Sequence, residues 1–222
     1  MVDIHAHIIP FVDDGARTID DSIAMIEHEI AIGVDTIIAT PHHIFGRYEK
    51  SIEEIKKNYQ LLVEEVKKRN LNINILLGQE IYYSSREDIL SLLKEKKLLT
   101  LDNTNKVLIE FSFTKEPEDL TEIIYNLSVN GYEVIVAHVE RYEWMNIDKV
   151  IELKSEGALI QVNSDAIIGV TSLKEKRFVR KLLKNKLVNY IASDTHYFRP
   201  SSLDKALKIV KDNKLFNYSY NE

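Results

Sequence analysis

Two histidines lie two residues apart near the start of the chain, at His5 and His7. Residues at positions i and i+2 of a β-strand project from the same face, so both imidazoles can bind one cation. The pair alone is weak evidence for a metal, because histidines with this spacing also occur as ordinary core or surface residues. A metal site here therefore needs support from elsewhere in the chain.

Further ligand-type side chains lie at or near the ends of other apolar segments that read as β-strands. They are His42, Glu80, Glu110, His138, Asp194 and His196. Each would leave a buried polar group unless it met a partner, and shared cations supply that partner. The alternative is a set of histidines that are satisfied separately in the core.

The turn after the first predicted strand, PFVDDGA, contains the carboxylates Asp13 and Asp14. By position the two are equivalent candidate ligands, and either could instead cap the turn. The complete set combines imidazole and carboxylate without sulfur, which suits Mn, Fe or Zn better than Mg or Ca alone. Eight or nine ligands exceed the need of one ion. The sequence therefore predicts two or three metals that share a bridging carboxylate, an arrangement that serves hydrolysis of phosphate esters.

The elements that must position these residues alternate between short β-rich segments and segments with helical periodicity. Strands are predicted at residues 2–7, 35–42, 72–80, 107–113, 132–139, 159–163 and 188–194. Helices are predicted after a cap at Thr18 and at residues 52–69, 86–97, 119–130, 147–156, 173–184 and 203–211. The pattern indicates an α/β fold with seven βα units, as a closed or nearly closed barrel. A doubly wound open sheet shares the pattern, but ligands at the carboxyl ends of many strands favour the barrel.

The composition restricts the class of protein. A chain of 222 residues fits a single domain, residues 1–222, and 45% hydrophobic residues predict a folded, soluble protein. The net charge of −6 argues against a nucleic-acid partner. With no cysteine, a cysteine nucleophile and thiolate zinc sites are excluded. The start of the chain lacks a signal-peptide pattern and no apolar run is long enough for membrane insertion, so a cytoplasmic location is expected.

Motifs along nearly the whole chain resemble a known family. In order they are MVDIHAHIIPFVDDGA, IIATPHH, GQEI, LIEFSF, AHVERY, QVNSDAIIG and ASDTHY. They resemble the bacterial protein-tyrosine phosphatases of the polymerase and histidinol phosphatase (PHP) superfamily, of the CpsB and YwqE type, associated with capsule and exopolysaccharide synthesis. This resemblance implies a distorted TIM-like (β/α)7 barrel and a metal-dependent phosphatase. The chain departs from the family at Phe11, where a glycine is usual, and at Val139, where a proline is usual.

The resemblance also implies a three-metal arrangement on the matching residues. One metal would be held by His5, His7, Glu80 and Asp194, a second by Glu80, Glu110 and His138, and a third by Asp14, His42 and His196. This assignment makes Glu80 the bridge and favours Asp14 over Asp13. Arg141 and Arg199 are the implied catalytic arginines, with a surface role as the alternative for Arg199.

The implied reaction is hydrolysis of phosphotyrosine by a metal-bound hydroxide, with Mn2+ expected and Fe or Zn as alternatives. The implied partner is a phosphotyrosine protein, a bacterial tyrosine autokinase of polysaccharide export. Arg47 and Tyr48 follow the second strand and are candidates for the substrate mouth. The alternatives are a small-molecule PHP phosphatase similar to histidinol phosphatases, a PHP nuclease, and a metal-stabilised binding module. A nuclease should carry a basic strip, which the sequence lacks.

Overall fold

A computed structural model describes residues 1–215, and its strands and helices alternate as the sequence predicts. The strands are β1 (Val2–Ala6), β2 (Thr36–Ala39), β3 (His42–His43), β4 (Asn74–Leu77), β5 (Glu80–Tyr82), β6 (Lys106–Glu110), β7 (Glu133–Val136), β8 (Leu159–Asn163) and β9 (Tyr190–Ala192). The helices are α1 (Ile19–Ala31), α2 (Ile52–Lys68), α3 (Ile89–Lys94), α4 (Leu120–Val129), α5 (Ile147–Ser155), α6 (Ser164–Ile168), α7 (Leu173–Lys184) and α8 (Leu203–Asp212).

Two of the predicted strands are each interrupted once. Pro41 separates β2 from β3, because proline has no amide hydrogen to donate to the neighbouring strand. Gly78 separates β4 from β5 where the backbone passes close to Leu101, so that a Cβ at position 78 would lie 2.6 Å from Leu101 Cδ2. The backbone bond from Glu80 N to Pro41 O, 3.1 Å, continues the pairing across the interruptions.

The strands form one parallel series that closes on itself. The order β1–β2–β4 continues through these interruptions into β3–β5–β6–β7–β8–β9, and every pairing is parallel. The chain after β9 then bonds to β1, with Asp194 N donating to His5 O at 2.8 Å and His7 N donating to Thr195 O at 3.0 Å. The predicted α/β barrel is therefore confirmed.

Two apolar layers hold the barrel together. The inner layer is small and lies inside the barrel; it includes Ile4, Ile38, Leu108, Ile135 and Tyr190. The larger outer layer lies between the strands and the helices and includes Ile37, Ile109, Val136, Ile160 and Ile191. The alternation of the two sets along each strand is the period-2 pattern of side chains in β-structure. The inner layer fills the barrel and leaves the carboxyl ends of the strands for polar residues.

Local capping residues set the helix boundaries. Thr18 caps α1 by accepting a hydrogen bond from Asp21 N, as predicted. Helix α3 begins later than predicted because Asp88 caps it, accepting from Ser91 N at 3.1 Å. Helix α6 was not predicted; it is a short helix that ends at Gly169 in the left-handed conformation (φ 87°). Among residues 1–215, no helix is long and apolar enough to cross a membrane.

Candidate metal centre

The nine predicted metal ligands converge at the carboxyl end of the barrel. His5 lies in β1, His42 in β3, Glu80 in β5 and Glu110 in β6, while His7, Asp14, His138, Asp194 and His196 lie in the segments that follow β1, β7 and β9. All except Asp14 and His42 are buried. Parallel strands end at the same edge of a barrel, which explains why residues far apart in sequence meet here.

Irregular backbone aims several of these side chains into the cluster. Strand β1 shifts register between Asp3 and Ala6, so that Ile4 joins the inner core while His5 faces the cluster. Asp3 holds this irregularity, because its Oδ1 accepts hydrogen bonds from His5 N at 3.3 Å and Ser193 N at 3.0 Å. His138 and Asp194 have positive φ values of 30° and 52°, a backbone conformation that residues other than glycine seldom adopt.

Glu80 lies at the centre of the cluster. Its Oε2 is 3.2 Å from both His5 Nε2 and His7 Nε2, and 3.0 Å from His42 Nδ1. Its Oε1 is 2.9 Å from His138 Nε2. Burial alone would raise the pKa of Glu80, but the neighbouring His5 and His42 hold that pKa well below its usual range. Glu80 is therefore placed to connect several binding positions.

The ligand atoms form four overlapping groups, within each of which all atoms lie within 4.8 Å of one another. The groups are His7, Asp14, His42 and His196; His5, Glu80 and His138; His5, His7 and Asp194; and His42, Glu80 and Glu110. Glu110 Oε1 also lies 3.5 Å from His138 Nε2. The overlap, with several residues shared between groups, is the arrangement expected for closely spaced cations rather than for one ion.

The two adjacent aspartates have different environments. The Asp13 side chain is fully buried, and its Oδ2 accepts hydrogen bonds from His7 Nδ1 at 2.8 Å and from His42 N at 2.9 Å. Asp14 Oδ1 instead faces His42 Nε2 at 3.6 Å and His196 Nε2 at 3.7 Å, without a hydrogen bond. Asp13 thus orients histidines, whereas Asp14 presents a free oxygen to the cluster.

Two arginines meet on one oxygen of Asp194. Asp194 Oδ2 is 2.6 Å from Arg199 Nη2 and 3.2 Å from Arg141 Nη1, while Oδ1 faces His5 and His7 at 3.6 and 3.4 Å. Burial opposes the charge of Asp194, but His5 and other neighbours keep its pKa well below the usual range. Arg199 Nε is buried without a hydrogen-bond partner. Both guanidinium groups therefore lie beside the cluster with N–H groups left for an anion.

A cavity of about 260 Å³ opens over the cluster. Its walls include both arginines and an apolar rim made of Ile44, Tyr82, Phe113 and Phe198. Arg47 also lines the cavity, with its guanidinium 4.8 Å from the centre of the Tyr48 ring. Tyr48 in turn stacks on His42 at 5.9 Å with nearly parallel ring planes. The two candidate mouth residues therefore lie beside the cluster.

Comparison with known proteins assigns the chain to a family. The family model "Capsular polysaccharide synthesis, CpsB/CapC" matches residues 1–220. The chain belongs to the CpsB/CapC family. It is 38% identical over 219 residues to the tyrosine-protein phosphatase CpsB of Streptococcus agalactiae, covering 95% of this chain and 89% of that protein. The family resemblance read from the motifs is thereby confirmed.

Solved structures agree with this assignment. The fold matches a structure, 32% identical, from work on YwqE of Bacillus subtilis and CpsB of Streptococcus pneumoniae, two metal-dependent tyrosine phosphatases, with a TM-score of 0.90 over 96% of this chain and 87% of that one. A histidinol phosphate phosphatase from Lactococcus lactis, solved with zinc, histidinol and phosphate, has a TM-score of 0.62 at 15% identity over 96% and 91% of the two chains. The second likeness shows the shared fold alone.

The donor set of this CpsB/CapC family member fits divalent cations. Glu80 Oε2 and Asp14 Oδ1 are buried oxygens without a hydrogen-bond donor, and imidazole nitrogens surround both. Buried carboxylate oxygens without partners are costly, and cations remove that cost. Burial and the nearby Glu80 also raise the pKa of Glu110 to about 9, and a cation beside this carboxylate would lower it.

Sequence reasoning missed the polar residues that support the ligands. Strand β8 contributes no predicted ligand, yet Gln161 and Asn163 are buried beneath the cluster and bond to residues within it. Their alternation on one face of a strand was the available signal. The histidines outside the ligand set bond elsewhere: His43 Nε2 pairs with Glu87 Oε1 at 3.0 Å, and His28 Nε2 lies 2.8 Å from Ser201 O.

Proposed function

We propose that this chain is a metal-dependent protein-tyrosine phosphatase that hydrolyses phosphotyrosine. The observation that carries the proposal is the cluster of nine imidazole and carboxylate side chains beside Arg141 and Arg199 at one cavity. The ligands are His5, His7, Asp14, His42, Glu80, Glu110, His138, Asp194 and His196. The tyrosine-protein phosphatase names of its relatives support the same reaction.

These residues would hold two or three ions, with Mn2+ as the proposed metal and Fe or Zn as alternatives. Bound cations of this type supply Lewis acidity toward phosphoryl oxygens and lower the pKa of water. The chain has no cysteine, so an intermediate with the phosphoryl group on a cysteine sulfur is excluded.

The arginines position the phosphate group. Arg141 and Arg199 are both held by Asp194 Oδ2, and their remaining N–H groups can donate to non-bridging phosphate oxygens. Arg141 also stacks over the Phe113 ring, with its guanidinium carbon 4.2 Å from the ring centre. This contact fixes the plane of the guanidinium, which favours a two-point hydrogen bond to phosphate.

The open mouth favours a tyrosine that belongs to a protein. The rim residues Ile44, Phe113 and Phe198 can contact a phenol ring, and Phe198 is 62% exposed. Arg47 and Tyr48 would contact residues beside the phosphotyrosine. The proposed partner is a bacterial tyrosine autokinase of capsule or exopolysaccharide synthesis, a substrate that would place the phosphatase in the cytoplasm.

The reaction can be tested on a phosphotyrosine peptide. We expect hydrolysis that is lost after treatment with a chelator and restored by Mn2+, with much slower release of phosphate from a phosphoserine peptide and from histidinol phosphate. Glu80→Gln should abolish activity because it removes the central carboxylate, whereas Glu87→Gln, which affects only the pair with His43, should not. Activity that survives metal removal, or faster hydrolysis of histidinol phosphate, would contradict the proposal.

A further inference from the structure

Strand β8 lies directly beneath the cluster but provides none of the nine ligands. Its two inward-facing polar side chains, Gln161 and Asn163, are buried and hydrogen-bonded. We propose that they are positioning residues: Gln161 fixes which ring nitrogen of His5 carries the proton in the neutral ring, and Asn163 fixes which oxygen of Asp194 would face the metals. This inference rests on the proposed metal centre but not on the identity of the substrate.

The orientation of the Gln161 amide follows from its two strongest contacts. Its Oε1 accepts a hydrogen bond from His138 N at 2.8 Å, and its Nε2 donates to Asn163 Oδ1 at 2.8 Å. A reversed amide would place a donor against the His138 N–H group, so the oxygen must remain on the side of His138.

This orientation determines the His5 tautomer. Gln161 Oε1 lies 3.3 Å from His5 Nδ1, and an amide oxygen can only accept a hydrogen bond. His5 Nδ1 must therefore carry a proton, so in the neutral ring the lone pair is on Nε2. That nitrogen is the atom that faces Glu80 and Asp194. Gln161 thus keeps the coordinating nitrogen of His5 available, as supporting hydrogen bonds do for histidine ligands in metalloproteins.

Asn163 acts in a similar way on Asp194. Because its Oδ1 accepts from Gln161, its Nδ2 is left to donate to Asp194 Oδ2 at 2.9 Å. The same oxygen receives Arg141 and Arg199. With three donors on Oδ2, the carboxylate is held so that Oδ1 faces the histidines. The Asn163 backbone N donates to Glu140 Oε1 at 2.9 Å, which anchors the strand end.

Positions 161 and 163 both require an amide side chain. The side chain at each position must donate one hydrogen bond and accept another, and a carboxylate has no hydrogen to donate when ionised. An apolar replacement at position 161 would leave the buried His138 N–H group without a partner. The two amides therefore form a continuous path from the backbone of His138 to the carboxylate of Asp194.

Metal affinity tests the inference without an activity measurement. We expect Gln161→Met and Asn163→Ser to weaken Mn2+ binding by roughly 10–100-fold, the usual effect of removing such support. Asn189→Ala is the matched control, because Asn189 Oδ1 also supports β8, accepting from Ile160 N at 3.0 Å and from Lys154 Nζ at 2.6 Å, and neither partner is a candidate ligand. The control should bind Mn2+ with nearly wild-type affinity in the same chelator competition.

Nitrogen NMR of the histidines adds a direct reading of the tautomer. At a pH where the ring is neutral, the metal-free wild type should show His5 protonated at Nδ1, and Gln161→Met should show a mixture of tautomers. At saturating Mn2+ both variants should regain activity with an unchanged KM for peptide. A folded variant of either kind with wild-type Mn2+ affinity, or an unchanged His5 tautomer in Gln161→Met, would overturn the inference. If Gln161→Met does not fold, the affinity of Asn163→Ser decides it.

Discussion

The adjacent aspartates should respond differently to substitution, because Asp13 supports histidine ligands by hydrogen bonds and Asp14 is itself a proposed metal ligand. Asp13 accepts hydrogen bonds from His7 Nδ1, His42 N and Gly15 N at 2.8 to 2.9 Å. Asp13→Ala removes all three acceptor contacts in a buried site. At the lower limit of ~1 kcal/mol for each buried donor left unsatisfied, the loss is ~3 kcal/mol of unfolding free energy. For a chain of this size that loss lowers Tm by roughly 6–12 °C.

Asp14→Ala should affect the metal content more than the stability. The Asp14 side chain is 41% exposed, and its inward oxygen makes no hydrogen bond. In the presence of chelator its removal should cost less unfolding free energy than Asp13→Ala, because Asp14 loses only the attraction of His196 and His42 that lowers the pKa of its carboxyl. After loading with Mn2+, however, this variant should retain fewer ions per chain than the wild type.

Thermal unfolding followed by circular dichroism in chelator, together with metal counting by mass spectrometry, compares both variants. Equal losses of Tm for Asp13→Ala and Asp14→Ala would refute the division of roles. A full complement of ions in Asp14→Ala would refute it as well.

Three further variants test other parts of the account. Arg141→Lys keeps the charge but loses the planar fork, so kcat/KM should fall by ~100-fold while the Mn2+ content stays unchanged. Burial and the nearby Asp3 raise the pKa of Glu29 to about 9, so the folded state keeps this carboxyl protonated at a pH where the unfolded state loses the proton. The resulting stability is present below the unfolded pKa and is lost as pH rises toward 9, with a slope of up to ~1.4 kcal/mol of unfolding free energy per pH unit. Glu29→Gln should flatten this slope in denaturant titrations from pH 5 to 8. Phe11 is exposed and has a φ of 69°, so Phe11→Gly should raise the unfolding free energy by up to ~1 kcal/mol, and a decrease would refute backbone strain there.

The barrel was predictable because each βα unit carries its own signal. Ile37, Ile109 and Ile160 follow the period expected for strands covered by helices. The interruptions at Pro41 and Gly78 were not predicted, because each strand was extended to the ligand-type residue that follows, His42 or Glu80. The two causes differ. Pro41 interrupts its strand locally because it has no amide hydrogen, whereas Gly78 is required by the approach of Leu101, which lies far away in the sequence.

The convergence of the nine candidate ligands was predictable from residue type and position, since polar residues that end buried strands need partners. The roles of Asp13 and Asp14 were not separable by position, because both lie in one turn. The deciding contact is tertiary: Gly15 lies against His7, where a Cβ would be 2.1 Å from the His7 carbonyl oxygen. This approach directs Asp13 toward His7 Nδ1. The family resemblance reached Asp14 without this geometry.

Position 11 also shows what a sequence pattern can and cannot give. The family resemblance led us to expect a glycine there, and Phe11 occupies the left-handed region that favours glycine. The sequence alone indicated a departure from the expected pattern, and the structure shows that the residue at this position has a positive φ. For the amides of β8, the sequence offered only the alternation of Gln161 and Asn163 on one face of the strand, and their contacts are needed to assign a role.

The central claim is that nine side chains from six strand ends hold catalytic divalent cations beside Arg141 and Arg199. Its most direct test is anomalous X-ray scattering at the manganese edge from crystals grown with Mn2+ and phosphate. We expect two or three manganese peaks contacted by these ligands, with Glu80 contacting more than one and phosphate contacting both arginines. A cluster without manganese, or manganese bound only elsewhere on the protein, would contradict it.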